Sequence, residues 1–181
     1  LREWYARGVG AVKVVGELYW KNAAGATTRV FKIDAALEQF TKEKPMTQLD
    51  PNKVAHTLAV GTKAFGHFRH GLAKGEWQAF LDLLTDDFTF YFPQGKYQGE
   101  HQGKDKAKEF FAYVSSVFTT GITINEVLRV SASETNVVFE FRDEGVLREQ
   151  PYKNRVAVSF DVRGDKISGY REYFGSDGKS N

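Results

Sequence analysis

Three of the four histidines, His56, His67 and His70, share one stretch of helical periodicity, which makes zinc the first chemistry to weigh. At about 100° per residue they fall within about 60° of one another. Their centre lies nearly opposite Leu58, Phe65 and Leu72, so they face solvent or a partner, not a core. A catalytic zinc also needs an enclosed open position, so no metal is expected. GSDGKS (175–180) is two residues too short between its glycines for a phosphate loop and has no helix after it to supply amides. RGD (163–165) reads as a tight turn between strands. GxSxG is absent and there is no cysteine, which removes the familiar nucleophile arrangements, disulfides and thiolate metal sites. The remaining unusual stretch is FTFYF (88–92), preceded by TDD (85–87) and ended by Pro93. Strand alternation turns Phe88, Phe90 and Phe92 one way and Thr89 and Tyr91 the other.

The elements around these residues follow from periodicity. VKVVGELYW and RVFKIDAALEQF are β-branched and aromatic runs joined by the turn-rich KNAAGATT, a hairpin. TKEKPMTQLDPN is a polar linker ending in a helix start, with Asp50 at the N-cap and Pro51 at the first helical position. The spacing predicts a helix over 51–74, with Val54, Leu58, Gly61, Phe65, Phe68 and Leu72 on its buried face. Gly61 and Gly66 would each cost it about 1 kcal/mol against Ala. GEWQAFLDLL restarts a shorter helix with Trp77, Phe80, Leu81 and Leu84 inward, and TDD turns from it into the aromatic strand. QGKYQGEHQG reads as a polar loop, and KDKAKEFFAYVSSVF as a third amphipathic helix. ITINEVLRVSA, NVVFEFRD, KNRVAVSFDV and KISGYREYF read as strands. Helices segregated from consecutive antiparallel strands indicate an α+β domain with the helices on one face of a curved sheet.

The whole-chain numbers narrow the partners. The 181 residues allow one good core with an appendage, and a net charge of +2 is too even to point to nucleic acid or an anionic membrane. No apolar run approaches the roughly 20 residues of a membrane helix. No signal peptide is visible, so the cytoplasm is the default expectation. The chain starts at Leu1 without Met, which leaves room for a segment upstream. VVGE and RVFKIDAAL echo VVFE and RVAVSFDV. Residues 1–49 are therefore either an added hairpin and linker or the tail of a preceding repeat, with the main domain over 50–181. The 15 Phe suit an apolar cavity and a solid core equally well.

FTFYFPQGKYQGEHQGKDKAKEFF and NRVAVSFDVRGDKISGYREYFG together resemble SnoaL-like proteins of the nuclear transport factor 2 and ketosteroid isomerase superfamily, over about residues 54–175. The resemblance implies a cystatin-like, cone-shaped roll in which three helices pack on a curved antiparallel sheet. It further implies an apolar pocket between the two layers, a homodimer and no cofactor. Steroid isomerases use a carboxylate base, a tyrosine and a protonated aspartic acid. Those positions fall here on Phe92, Phe68 and Ala157, and the chemistry would be absent. In phase with Ala157 are Arg155, Ser159 and Asp161; Glu140 lies on the neighbouring strand and His101 beside the mouth. The expected ligand-binding set is Phe65, Phe68, Trp77, Phe90, Phe92, His101, Glu140, Arg155, Ala157 and Ser159. The expected ligand is a small, largely apolar molecule. The alternative is a non-catalytic dimerisation module with a filled pocket.

Overall fold

Asp50 opens helix α1 (Pro51–Lys74): its carboxylate accepts from the Asn52 amide at 2.9 Å, and Pro51 occupies a position that needs no amide. The computed structural model describes residues 49–175 with their side chains, and, before them, the backbone of β1 (Arg2–Ala6), β2 (Gly10–Lys21) and β3 (Thr27–Ala36). The turn at 22–26, most of the linker and GSDGKS beyond Gly175 lie outside the described residues. The chain divides into two units, Leu1–Gln48 and Leu49–Asn181. In the first, β1, β2 and β3 form an antiparallel sheet in that order, with β2 and β3 paired from Lys21↔Thr27 to Lys13↔Ala36. The expected hairpin thus has a third strand.

In the second unit α1 is followed by a single-turn helix α2 (Gln78–Leu81), strand β4 (Leu84–Phe92), the short β5 (Gly99–Gln102) and helix α3 (Lys104–Val117). Four strands follow: β6 (Ile122–Ala132), β7 (Asn136–Leu147), β8 (Gln150–Arg163) and β9 (Lys166–Gly175). The six strands form an open sheet in the order β5-β4-β9-β8-β7-β6. It is mixed, not wholly antiparallel as expected, because β4 runs parallel to β9. TDD lies inside β4, and the Gly-rich segment after Pro93 holds a 3-10 turn (Gly95–Tyr97) and the edge strand β5. α1 packs across β6 to β9 and α3 against β4 and β5, so the helices cover one face.

The seam between α1 and the sheet is set by small residues. Thr57, Gly61, Ala64, Phe65, Phe68 and Gly71 are its buried positions, while Leu58 is 39% exposed, contrary to its expected inward place. A Cβ on Gly61 would lie 2.1 Å from the Val137 side chain, and one on Gly71 would lie 2.3 Å from the Trp77 ring. The apparent helix weakness at Gly61 is what lets α1 approach β7. Between the layers the rings interlock: Phe68 meets Phe80, Phe160 and Tyr170 at 5.6–5.9 Å, and each fully buried ring contributes about 2 kcal/mol through lost water contact.

Candidate functional site

Three adjacent strands project side chains toward the helices at every second residue. Along β7 these are Val137, Phe139, Phe141 and Asp143; along β8, Val156, Val158, Phe160 and Val162; along the second half of β9, Tyr170, Glu172 and Phe174. Two acids therefore fall in phase with apolar residues. They border a cavity of about 230 Å³ walled by Phe68 and Leu72 of α1, Phe92 of β4, Phe110, Phe111 and Val114 of α3, and Phe141 and Phe174 of the sheet. Its inner polar groups are Asp143, Tyr152, Tyr170 and Glu172. An apolar cavity of about 150 Å³ takes benzene. This one accommodates a substituted ring or a short chain, and it is not filled.

Asp143 is 5% exposed, and its Oδ1 has no hydrogen-bond partner. Burial, reinforced by the charge of Glu172, raises its carboxyl from 3.8 to about 7, against the pull of the Asn154 and Asp143 peptide groups. Glu172 is half-buried and lines the cavity. Burial raises it from 4.5 to about 7, and the bond donated by the Tyr170 hydroxyl opposes that rise. Burial also drives both phenols upward, Tyr170 with added push from Glu172, and Tyr152 from Asp143 and Glu172. Tyr152 Oη lies 2.8 Å from the Asn154 amide, which is best turned so that its oxygen accepts and its nitrogen donates to the Lys153 and Gly175 carbonyls. Both carboxyls are thus held well above the usual carboxylate range, and at neutral pH each phenol keeps its proton. The cavity can therefore give and take protons next to an apolar guest.

The mouth has the opposite charge. Gln94 and Lys96, after β4, and Arg148, between β7 and β8, are exposed residues on the cavity rim. Lys96 Nζ sits 5.3 Å from the Tyr113 ring centroid and 5.5 Å from that of Tyr97. Arg148 donates from Nη2 to Tyr113 Oη at 3.4 Å and from its amide to the Val117 carbonyl at 3.2 Å. Arg148 and Glu149 form the two-residue turn closed by Leu147↔Gln150, with φ of 47° and 70°. Glycine or asparagine is the usual occupant of such a turn, and each side chain held there costs about 1 kcal/mol or more.

Of the residues expected to bind ligand, Phe68 and Phe92 line the cavity. Phe65 is core, stacked on Phe139 at 4.2 Å. Trp77 stacks on Phe111 at 4.5 Å, behind the wall, with its Nε1 donating to Ser115 Oγ at 2.8 Å. Phe90 is buried between His101 and Phe110, at 4.7 and 4.9 Å. His101 belongs to β5, not to a loop, and its Nε2 lies 3.0 Å from the Tyr97 carbonyl. Glu140, Arg155, Ala157 and Ser159 correct the expected register by one residue. Val156, Val158 and Phe160 take the inner face, so these four point outward. There Glu140 lies 3.8 Å from both Arg129 and Arg155. Ser159 accepts from Asn136 at 2.8 Å beside the Arg171–Asp161 pair, whose two bonds are both 2.6 Å.

The polar groups that do reach the cavity carried a visible signal, because VxFxFxD and YxExF put the acids on the apolar phase. The acids at the cavity are therefore Asp143 and Glu172, not the expected Glu140. His56 and His70 hold Gly164 O at 3.1 Å and Glu76 at 2.9 Å, so the helix histidines do not converge. Among the described residues no group of three metal-binding side chains is found. Likewise, no described helix is long and apolar enough to cross a membrane.

Comparison with known proteins matches residues 65–170 to the SnoaL-like domain. A crystal structure of an NTF2-like protein from Anabaena variabilis is 61% identical, aligned over 75% of this chain and 99% of that one with a TM-score of 0.68. A candidate polyketide cyclase from Xanthomonas campestris (18% identity, 68% and 93% covered, TM-score 0.57) shares the fold. So does a candidate isomerase from Bacillus subtilis (18% identity, 66% and 88% covered, TM-score 0.55). No curated protein matches the chain. With more than half its length matched by the domain and a close relative covered nearly end to end, the chain belongs to the SnoaL-like family, with the NTF2-like α+β fold.

Proposed function

We propose that the chain binds a small, largely apolar carbonyl compound and moves a proton on it, an acid–base activity of the isomerase or cyclase kind. The observation that carries this reading is the unpartnered Oδ1 of Asp143, whose carboxyl is raised to about 7 in an aromatic-walled cavity that also holds Glu172. A buried polar atom without a partner is a standing cost of about 1–3 kcal/mol, and a guest that bonds to it removes that cost. Near neutral pH one acid is available to donate to a developing enolate oxygen while the other, ionised, takes a proton from carbon. The names of the two distant neighbours, a cyclase and an isomerase, agree with that chemistry.

The test is proton–deuterium exchange on carbon next to the carbonyl of small cyclic ketones, followed by NMR in deuterium oxide. Exchange that D143N and E172Q each reduce by about 100-fold supports the reading. Exchange no faster than in buffer, across a panel that demonstrably binds, removes it.

The outward sheet face supports a homodimer. Tyr173, 52% exposed and 5.8 Å from Tyr91, neighbours Ala157 on a face edged by charge. Sedimentation showing only monomer at micromolar concentration would end that part of the proposal.

A further inference from the structure

We infer that the molecule taken into this cavity carries a carboxylate, held at the mouth between Lys96 and Arg148 with the apolar body pointing inward. The inference deepens the proposed function and rests on the same cavity.

Both cations border the cavity, and neither is paired with a carboxylate among the described residues. Glu109, whose charge senses Lys96, is bonded to Lys106 at 2.6 Å. The two cations share one anchor: Lys96 lies by the Tyr113 ring and Arg148 reaches the Tyr113 hydroxyl. That contact presents an ammonium and a guanidinium fork on one rim, and the fork geometry matches the two oxygens of a carboxylate. The backbone adds a separate indication. The β7–β8 turn holds Arg148 at φ 47°, where a long side chain is disfavoured, and its amide is tied to α3 through Val117.

Charge sets the direction of entry. An anion at the inner end would meet Asp143 and Glu172, which repel it whenever either is ionised. At the rim it meets two cations, while the ring or chain behind it replaces water along Phe68, Phe92, Phe110 and Phe141. The far end of a guest bound this way reaches toward the two acids.

The probes are 3-phenylpropanoate and its uncharged amide, 3-phenylpropanamide, titrated by calorimetry at pH 7.5 into the full chain. The carboxylate is expected to bind about tenfold more tightly than the amide, the size of one to two partly exposed charge pairs. That ratio should shrink as salt rises from 50 to 500 mM. In K96Q/R148N the ratio should fall to about two; Asn suits positive φ, so the turn is retained. K96Q alone, a change at an exposed side chain, should move the ratio in the same direction by less. Equal affinities in the unaltered protein, or a ratio that survives in K96Q/R148N, overturns the inference and leaves the cavity reading standing if the amide binds. Binding of neither probe overturns both.

Discussion

Replacing Asp143 with Asn removes a charge that the fold resists while keeping the size of the side chain. The carboxyl rises from an ordinary value of 3.8 to about 7. At about 1.36 kcal/mol per pH unit, that rise corresponds to an upper bound of about 4 kcal/mol. The sign follows from proton counting. Between the two values the folded protein holds a proton that the unfolded chain has released, so stability is fully present at low pH and declines as pH rises through about 7. About 2–3 kcal/mol of the decline from Asp143 falls between pH 5 and 7, and Glu172, raised from 4.5 to about 7, adds a loss of the same sign. Asp87 and Glu109, held low by Arg163 and Lys106, act in the opposite sense, and only as pH falls below about 4. Urea unfolding at pH 5, 6, 7 and 8 in constant salt measures the effect. The unaltered protein should lose several kcal/mol across the series, and D143N, which keeps the Glu172 contribution, should lose about half as much and be the more stable of the two at pH 8. A flat profile for the unaltered protein, or the same slope in D143N, refutes the reasoning.

Four further outcomes follow from the packing and the cavity. G61A should destabilise by about 1–3 kcal/mol, because its methyl would enter the Val137 side chain at 2.1 Å. G66A, on the same helix with open space around it, should stabilise by about 0.5–1 kcal/mol; urea midpoints report both. Y170F takes away the donor to Glu172, so the pH midpoint of Glu172 should rise, and the stability cost of about 1–3 kcal/mol should be larger at pH 8 than at pH 5. Trp77 emission should change on saturation with a cavity ligand, since its indole lies against the wall residue Phe111 at 4.5 Å; emission that never changes while calorimetry shows binding counts against this wall geometry.

Much of the architecture can be read from residue order because it is local. Asp50-Pro51 and Gly75 mark the ends of α1, and Gly75 takes the left-handed conformation that only glycine adopts freely. Period-two alternation likewise marks Phe88, Phe90 and Phe92 as one face of β4. What is not local is harder to read. The parallel pairing of β4 with β9 joins segments some eighty residues apart, and β5 is too short and too polar to show as a strand.

The site was partly legible. RVAVSFDV contains apolar residues in both phases; taking Ala157 as inward faces Arg155 and Ser159 to the cavity. Counting from Val156, Val158, Phe160 and Val162 places those groups outside. The same counting on VxFxFxD and YxExF brings Asp143 and Glu172 in. Bulges between Ile124 and Glu126, and between Val127 and Arg129, show why one strand alone cannot set the phase.

Carboxyl carbon NMR, with labelled aspartate and glutamate assigned through D143N and E172Q, measures directly whether the cavity holds protons near neutrality. Two resonances titrating with apparent midpoints near 7, belonging to the pair as a unit, are the predicted result. Midpoints near 4 for both would mean that neither acid is held away from water, and the proton-transfer account would fail with them.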